Sequence, residues 1–199
     1  MRSRAAAQLL EGQGFKKVYN LKGGMQAWDG AAAIGPPNMG LIAFSGVASP
    51  IDLTKRAYAM EQGLRQYYIT MADRTEDRDA ADLFKQLAGY EDRHMDRIYE
   101  LYRSLEQEAT ERAEFAREAV LPYMEGGVDV ETFLAAQPNP DSLTAALELA
   151  QSIEVQALDL YLRFVRQLTE KEGRAIVFSL AEDEKAHLVR LAELMGGKA

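Results

Sequence analysis

Gly89-Tyr90-Glu91-Asp92-Arg93-His94-Met95 and, ninety-three residues later, Glu182-Asp183-Glu184-Lys185-Ala186-His187-Leu188 carry the two histidines of this 199-residue chain. Each histidine follows a glutamate by three positions. On an α-helix, positions three apart share a face, so carboxylate and imidazole project the same way. Thirty residues before Glu91 stands Glu61, and thirty before Glu184 stands Glu154, both among apolar neighbours. Seven residues after each of these comes a tyrosine, Tyr68 and Tyr161, two turns along the same face. Glu61, Tyr68, Glu91 and His94 thus repeat as Glu154, Tyr161, Glu184 and His187. Little else matches at that offset, so what repeats is a site. Tyr67 competes with Tyr68 for its place, whereas Glu148, Glu170, Glu172 and Glu182 read as solvated or capping residues.

The surrounding sequence puts the repeated residues on four helices. Ser49-Pro50 supplies a cap and a first-turn proline, and apolar residues recur at helical spacing through Met60, Leu64, Tyr68 and Met71. A second helix is expected over about 76–109, with Leu83, Leu87, Tyr90, His94, Ile98, Leu101 and Leu105 on one face. A third follows Pro140-Asp141-Ser142 and runs to about residue 170. A fourth spans about 171–195 and stops at Gly196-Gly197. Helices one and two join tightly, as do three and four. Between the pairs lies a long segment broken at Gly126-Gly127 and at Pro138-Asn139-Pro140. Two short connections around one long crossover predict a mainly α protein, a four-helix bundle of the ferritin-like kind over 50–199.

Four glutamates converging inside such a bundle would repel one another and lose hydration. Two divalent cations balance their charge. Oxygen and imidazole donors without sulfur suit iron or manganese, with zinc as a further substitute. The metal ligands expected are Glu61, Glu91, His94, Glu154, Glu184 and His187. Glu91 and Glu184 are expected to bridge the ions, and Glu61 and Glu154 to be terminal, with one histidine on each ion. Tyr68 and Tyr161 are expected to hydrogen-bond to these ligands.

Composition narrows the partners. The chain has no cysteine, which removes disulfides, thiolate metal sites and thiol nucleophiles. A formal charge of −8 disfavours a nucleic-acid partner. No apolar run is long enough to span a bilayer and no secretory signal is visible, so a cytoplasmic protein is expected.

Residues from about 50 to 197 resemble the rubrerythrin branch of the ferritin-like superfamily. The resemblance rests on Glu61, Tyr68, Glu91, His94, Glu154, Tyr161, Glu184 and His187. It implies two iron ions cycling between Fe2+ and Fe3+ and reacting with hydrogen peroxide or dioxygen, often in defence against oxidants. Rubrerythrins proper carry a Cys-ligated iron domain that delivers electrons. Without cysteine, this chain needs an external donor such as a rubredoxin-like protein. They also carry a further glutamate one turn after the terminal ligand of the third helix. Ala157 stands there, which implies a symmetric six-ligand site.

Residues 1–30 have another texture. Arg2-Ser3-Arg4-Ala5-Ala6, Gly14-Phe15, Val18-Tyr19-Asn20-Leu21 and Lys22-Gly23-Gly24-Met25-Gln26-Ala27-Trp28 resemble the C-terminal third of a rhodanese domain. The expected element order is helix–strand–helix, without the catalytic cysteine of that family. The reading is a truncated rhodanese–rubrerythrin fusion in which Phe15 and Trp28 bury against the bundle or a partner chain. Residues 31–49, rich in Ala, Gly, Ser and Pro, read as a linker.

The leading function is an oxidoreductase acting on peroxide or dioxygen. An alternative is an iron-binding or storage module. Sulfurtransferase activity is expected only of a longer parent protein. A homodimer is expected, because the orphaned N-terminal strand and apolar linker offer surfaces for a second copy.

Overall fold

The computed structural model describes residues 40–106, 108–136 and 139–196. The segment expected to resemble a rhodanese domain, with Phe15 and Trp28, lies outside these residues. Four long helices make the bundle: α1 (Pro50–Arg74), α2 (Arg78–Leu105), α5 (Leu143–Phe164) and α6 (Lys171–Gly196). The crossover from α2 to α5 contains α3 (Arg112–Glu118), β1 (Tyr123–Met124), a 3-10 turn (Glu125–Gly127), β2 (Val128–Asp129) and α4 (Val130–Ala136). Among the described residues no helix is long and apolar enough to cross a membrane.

Side-chain caps start three of the four helices. Ser49 Oγ accepts from Asp52 N at 3.1 Å, Asp77 Oδ1 from Ala80 N at 2.7 Å, and Ser142 Oγ from Ala145 N at 3.3 Å. Asp52 answers Ser49 by accepting from Ala48 N, so two otherwise orphaned amides are satisfied together. The second and third helices end sooner than their periodicity suggests, at Leu105 and Phe164. Helix boundaries are weakly specified where no cap or glycine marks them.

The core falls into two apolar clusters with the acids between them. One contains Met60, Ile98, Leu160, Val177 and Leu180; the other contains Leu64, Tyr67, Phe84, Leu87 and Ile153. On α1, Glu61 follows Met60 of the first cluster and precedes Leu64 of the second. Each helix therefore dips its polar residue into the bundle at mid-height.

Part of the expected linker belongs to the bundle. Leu41–Phe44 forms a 3-10 turn, with Ala43 and Phe44 buried. The Phe44 ring stacks on Phe164, 3.9 Å between centroids, and tilts against Tyr161 at 6.2 Å. A compact run of Leu-Ile-Ala-Phe has enough apolar area to be drawn in.

The crossover does more than connect. Tyr123 pairs with Asp129 and Met124 with Val128 in a short antiparallel hairpin, and its turn packs against α5 and α1. Gly63 on α1 makes room for it: a Cβ there would lie 3.0 Å from the Tyr123 carbonyl oxygen. On the other side, Gly127 has φ +70° and a Cβ on it would lie 2.3 Å from the Gly40 carbonyl oxygen. Gly127→Ala should therefore cost about 1–3 kcal/mol from backbone strain and displacement. Urea denaturation should show this as a lower midpoint, and an unchanged midpoint would mean that the two backbones separate freely.

Candidate metal centre

α1 contributes Glu61, α2 contributes Glu91 and His94, α5 contributes Glu154, and α6 contributes Glu184 and His187. The structure brings all six together. The four glutamates are fully buried, His187 is 8% exposed and His94 is half-buried at the edge of the group. His187 Nδ1 lies 3.1 Å from Glu154 Oε2 and 3.7 Å from Glu184 Oε2. His94 Nδ1 lies 3.5 Å from both Glu61 Oε1 and Glu91 Oε2, too far for a good hydrogen bond. The two imidazoles stack face to face, 4.5 Å apart and 4° from parallel. Both therefore turn Nδ1 toward the carboxylates.

A seventh residue joins them. Glu125, the first residue of the crossover turn, is 1% exposed. It accepts a hydrogen bond from Tyr161 Oη at 2.6 Å. Tyr68 Oη donates to Glu154 Oε1 at 3.0 Å. Two-fold symmetry would have Tyr161 donate to Glu61, but it donates to Glu125. The symmetric six-residue set is thus incomplete, and a carboxylate from outside the repeat occupies the face between α1 and α5. Sequence reading missed Glu125 because it has no counterpart in the other half and lies beside Gly126-Gly127, which reads as a break. The signal was a lone acid between the apolar Tyr123-Met124 and a glycine pair. Tyr67 is buried too, but its hydroxyl has no hydrogen-bond partner among the described residues.

Three groupings of potential ligand atoms lie within 4.8 Å of one another: Glu61, Glu91 and His94; Glu91, Glu154 and His187; and Glu61, Glu125 and Glu184. Glu91 is common to the first two and Glu61 to the first and third. Both oxygens of Glu61, Glu91 and Glu184, one of Glu125, and His94 Nδ1 are buried without a hydrogen bond. Buried polar atoms are almost always paired, because an unpaired one costs about 1–3 kcal/mol. So many orphaned acceptors aimed at one point fit cations, whose charge would answer them together.

Electrostatics agree. Burial pushes Glu91, Glu125 and Glu184 well above the ordinary carboxylate range, and neighbouring glutamates push them further. Burial acts likewise on Glu61 and Glu154, but His94 and His187 respectively outweigh it and hold these two below that range. Burial disfavours the His94 cation, yet Glu61 more than compensates and its pKa rises.

An acid whose folded pKa is raised stabilises the fold below its unfolded value, about 4.5, and loses that contribution as pH climbs through its folded value. His94 has the same sign above its unfolded value of about 6.5. Glu61 and Glu154 act oppositely, but only as pH falls below about 4.5. The melting temperature of metal-free protein should therefore fall between about pH 5 and pH 8. Protein loaded with a divalent ion should show no such fall, since the ionised acids are then partnered. Parallel pH profiles with and without metal would contradict this account.

The sequence has relatives at the level of family. No curated protein and no solved structure matches the chain. The sequence model of the family described as Rubrerythrin matches residues 52–195, a span that contains all four long helices almost whole and every residue of the buried cluster. By that match over most of its length, the chain belongs to the rubrerythrin family.

Proposed function

We propose that this protein is a non-haem di-iron carboxylate oxidoreductase that reduces hydrogen peroxide or dioxygen with electrons from an external donor. One observation carries the reading: seven buried carboxylate oxygens and His94 Nδ1 converge without hydrogen-bond partners. Glu61, Glu91 and His94 would hold one ion, and Glu91, Glu154 and His187 the other. Glu184 and Glu125, which group with Glu61, would complete the ligand set around the pair. The donors are oxygen-rich with one imidazole for each ion and no sulfur, which suits iron, with manganese or zinc as substitutes.

When bound, a redox-active metal pair supplies two electrons, which with two protons convert hydrogen peroxide to two waters. The chain's own residues set the conditions. Tyr68 and Tyr161 orient Glu154 and Glu125 through their hydroxyls. The apolar clusters above and below keep bulk water from the acids. A cavity of about 410 Å³ between α2 and α6, lined by His94, Ile98, Leu101, Ile176 and Leu180, offers a small oxidant a way to the centre.

Element-specific analysis of protein purified without added metal should find two iron ions per chain. The reduced protein should be reoxidised rapidly by peroxide in stopped-flow absorption. Absence of iron, or oxidation no faster than that of free ferrous ion, would overturn the proposal. Assembly into a large shell on sizing chromatography would favour storage instead.

A further inference from the structure

The crossover turn closes the face of the bundle between α1 and α5. The face between α2 and α6 is built differently, and the rings of the centre reach the surface there. Tyr90 is 9% exposed, and its ring stacks on His187 with centroids 5.8 Å apart and planes 27° from parallel. His187 in turn stacks on His94. Gln86 Nε2 donates to Tyr90 Oη at 2.5 Å and fixes the phenol. A continuous row of three rings thus runs from the surface to both imidazoles of the centre.

Two cations frame the outer end of this row. The guanidinium carbons of Arg93 and Arg190 lie 4.4 Å and 5.3 Å from the Tyr90 ring centroid. Among the described residues neither makes an ion pair, whereas Arg65, Arg97 and Arg112 are each matched to an aspartate. Beside them Val189 is 60% exposed. Tyr90, Arg93, His187, Val189 and Arg190 line a depression of about 430 Å³, with Glu193 the single acid in its lining. In a chain of formal charge −8, this is a local concentration of unmatched positive charge around an aromatic and an apolar contact. Arginine and aromatic residues are enriched at protein contacts, and unpaired surface charge steers oppositely charged partners.

We infer that the surface formed by Tyr90, Arg93, Val189 and Arg190 docks a small acidic one-electron carrier protein, which delivers electrons to the centre through the Tyr90–His187 ring pair. The inference rests on the oxidoreductase reading and names the partner surface for it. Each delivery moves one electron from the reduced carrier to the oxidised centre, and two deliveries match one peroxide. The oxidant then has its own access at the His94 cavity, so the two reactants meet the protein at different places.

The test uses the full chain loaded with zinc, which separates docking from redox chemistry. A small acidic rubredoxin serves as the probe, and binding is followed by calorimetry at low and at high salt. The unmodified chain should bind it, more weakly as salt rises. The double variant Arg93→Glu/Arg190→Glu should bind at least about tenfold more weakly. Arg93→Lys/Arg190→Lys should keep most of the affinity, which shows that charge and not a damaged fold is responsible. The inference is overturned if the unmodified chain does not bind, or if charge reversal leaves binding unchanged. It is also overturned if the unmodified chain is a dimer that charge reversal converts to monomer, because a second copy then covers the surface. Binding that persists in a protein whose reduced centre ignores peroxide would leave the docking surface standing and remove the oxidoreductase reading.

Discussion

Saturating metal should raise the melting temperature by roughly 15–30 °C over that of protein stripped with chelator. Binding that favours the folded chain stabilises it by about 4 kcal/mol per site at a thousandfold excess over the dissociation constant. Two sites give about 8 kcal/mol, and a domain of this size gains about 2–4 °C per kcal/mol. The size of the effect comes from the orphaned acceptors: Glu61, Glu91 and Glu184 have both oxygens buried and unpaired until a cation arrives. Zinc serves for the measurement because it needs no control of redox state. A shift of only a degree or two would mean that the acids are content without ions.

Glu184→Gln should reverse sign depending on metal. The substitution keeps the side-chain shape and removes the charge. In metal-free protein Glu184 is forced toward its neutral form by burial and then by the charges of Glu125 and Glu154. Its replacement should stabilise the metal-free chain by about 1–3 kcal/mol. For this size of domain that is a rise of roughly 2–12 °C. With metal the order inverts, because the amide offers a neutral oxygen where an anion is required. Metal content should drop from two ions toward one per chain, and the thermal gain on adding zinc should shrink by about half. A variant less stable than the unmodified protein without metal, yet equally stabilised by zinc, would refute this role for Glu184. The opposed signs express a general trade: a site organised for a ligand is a defect in its absence.

The four long helices were legible because their signals are local and redundant. Ser49-Pro50, Asp77 and Ser142 mark starts that do not depend on distant contacts. The six repeated site residues were legible because helical geometry turns spacing directly into direction. Glu61 and Glu154 needed only the matching offset to be paired with the two glutamate–histidine motifs. Glu125 was not legible for the converse reason. Its position is set by a hairpin of two-residue strands, held between Gly63 on one helix and the backbone of Gly40. These are contacts between residues far apart in the chain, and no periodicity encodes them. The burial of Phe44 escaped for the same reason, since Phe164 and Tyr161 that receive its ring lie more than a hundred residues away. The rows of rings around Tyr90 were likewise invisible, because stacking between α2 and α6 depends on how two helices are rotated against each other.

Glu125 has a consequence for the order in which ions arrive. Tyr68 and Glu154 follow the repeat, but Tyr161 answers an acid that has no twin, so the two halves of the centre are chemically unlike. Ions filling it meet two different wells, and a titration should resolve successive steps instead of one. Glu125 is carried to the centre by a hairpin whose Gly127 is seated against the backbone of Gly40. Residues just ahead of the first long helix thus help to hold an acid of the centre in place, although they contribute no ligand atom themselves.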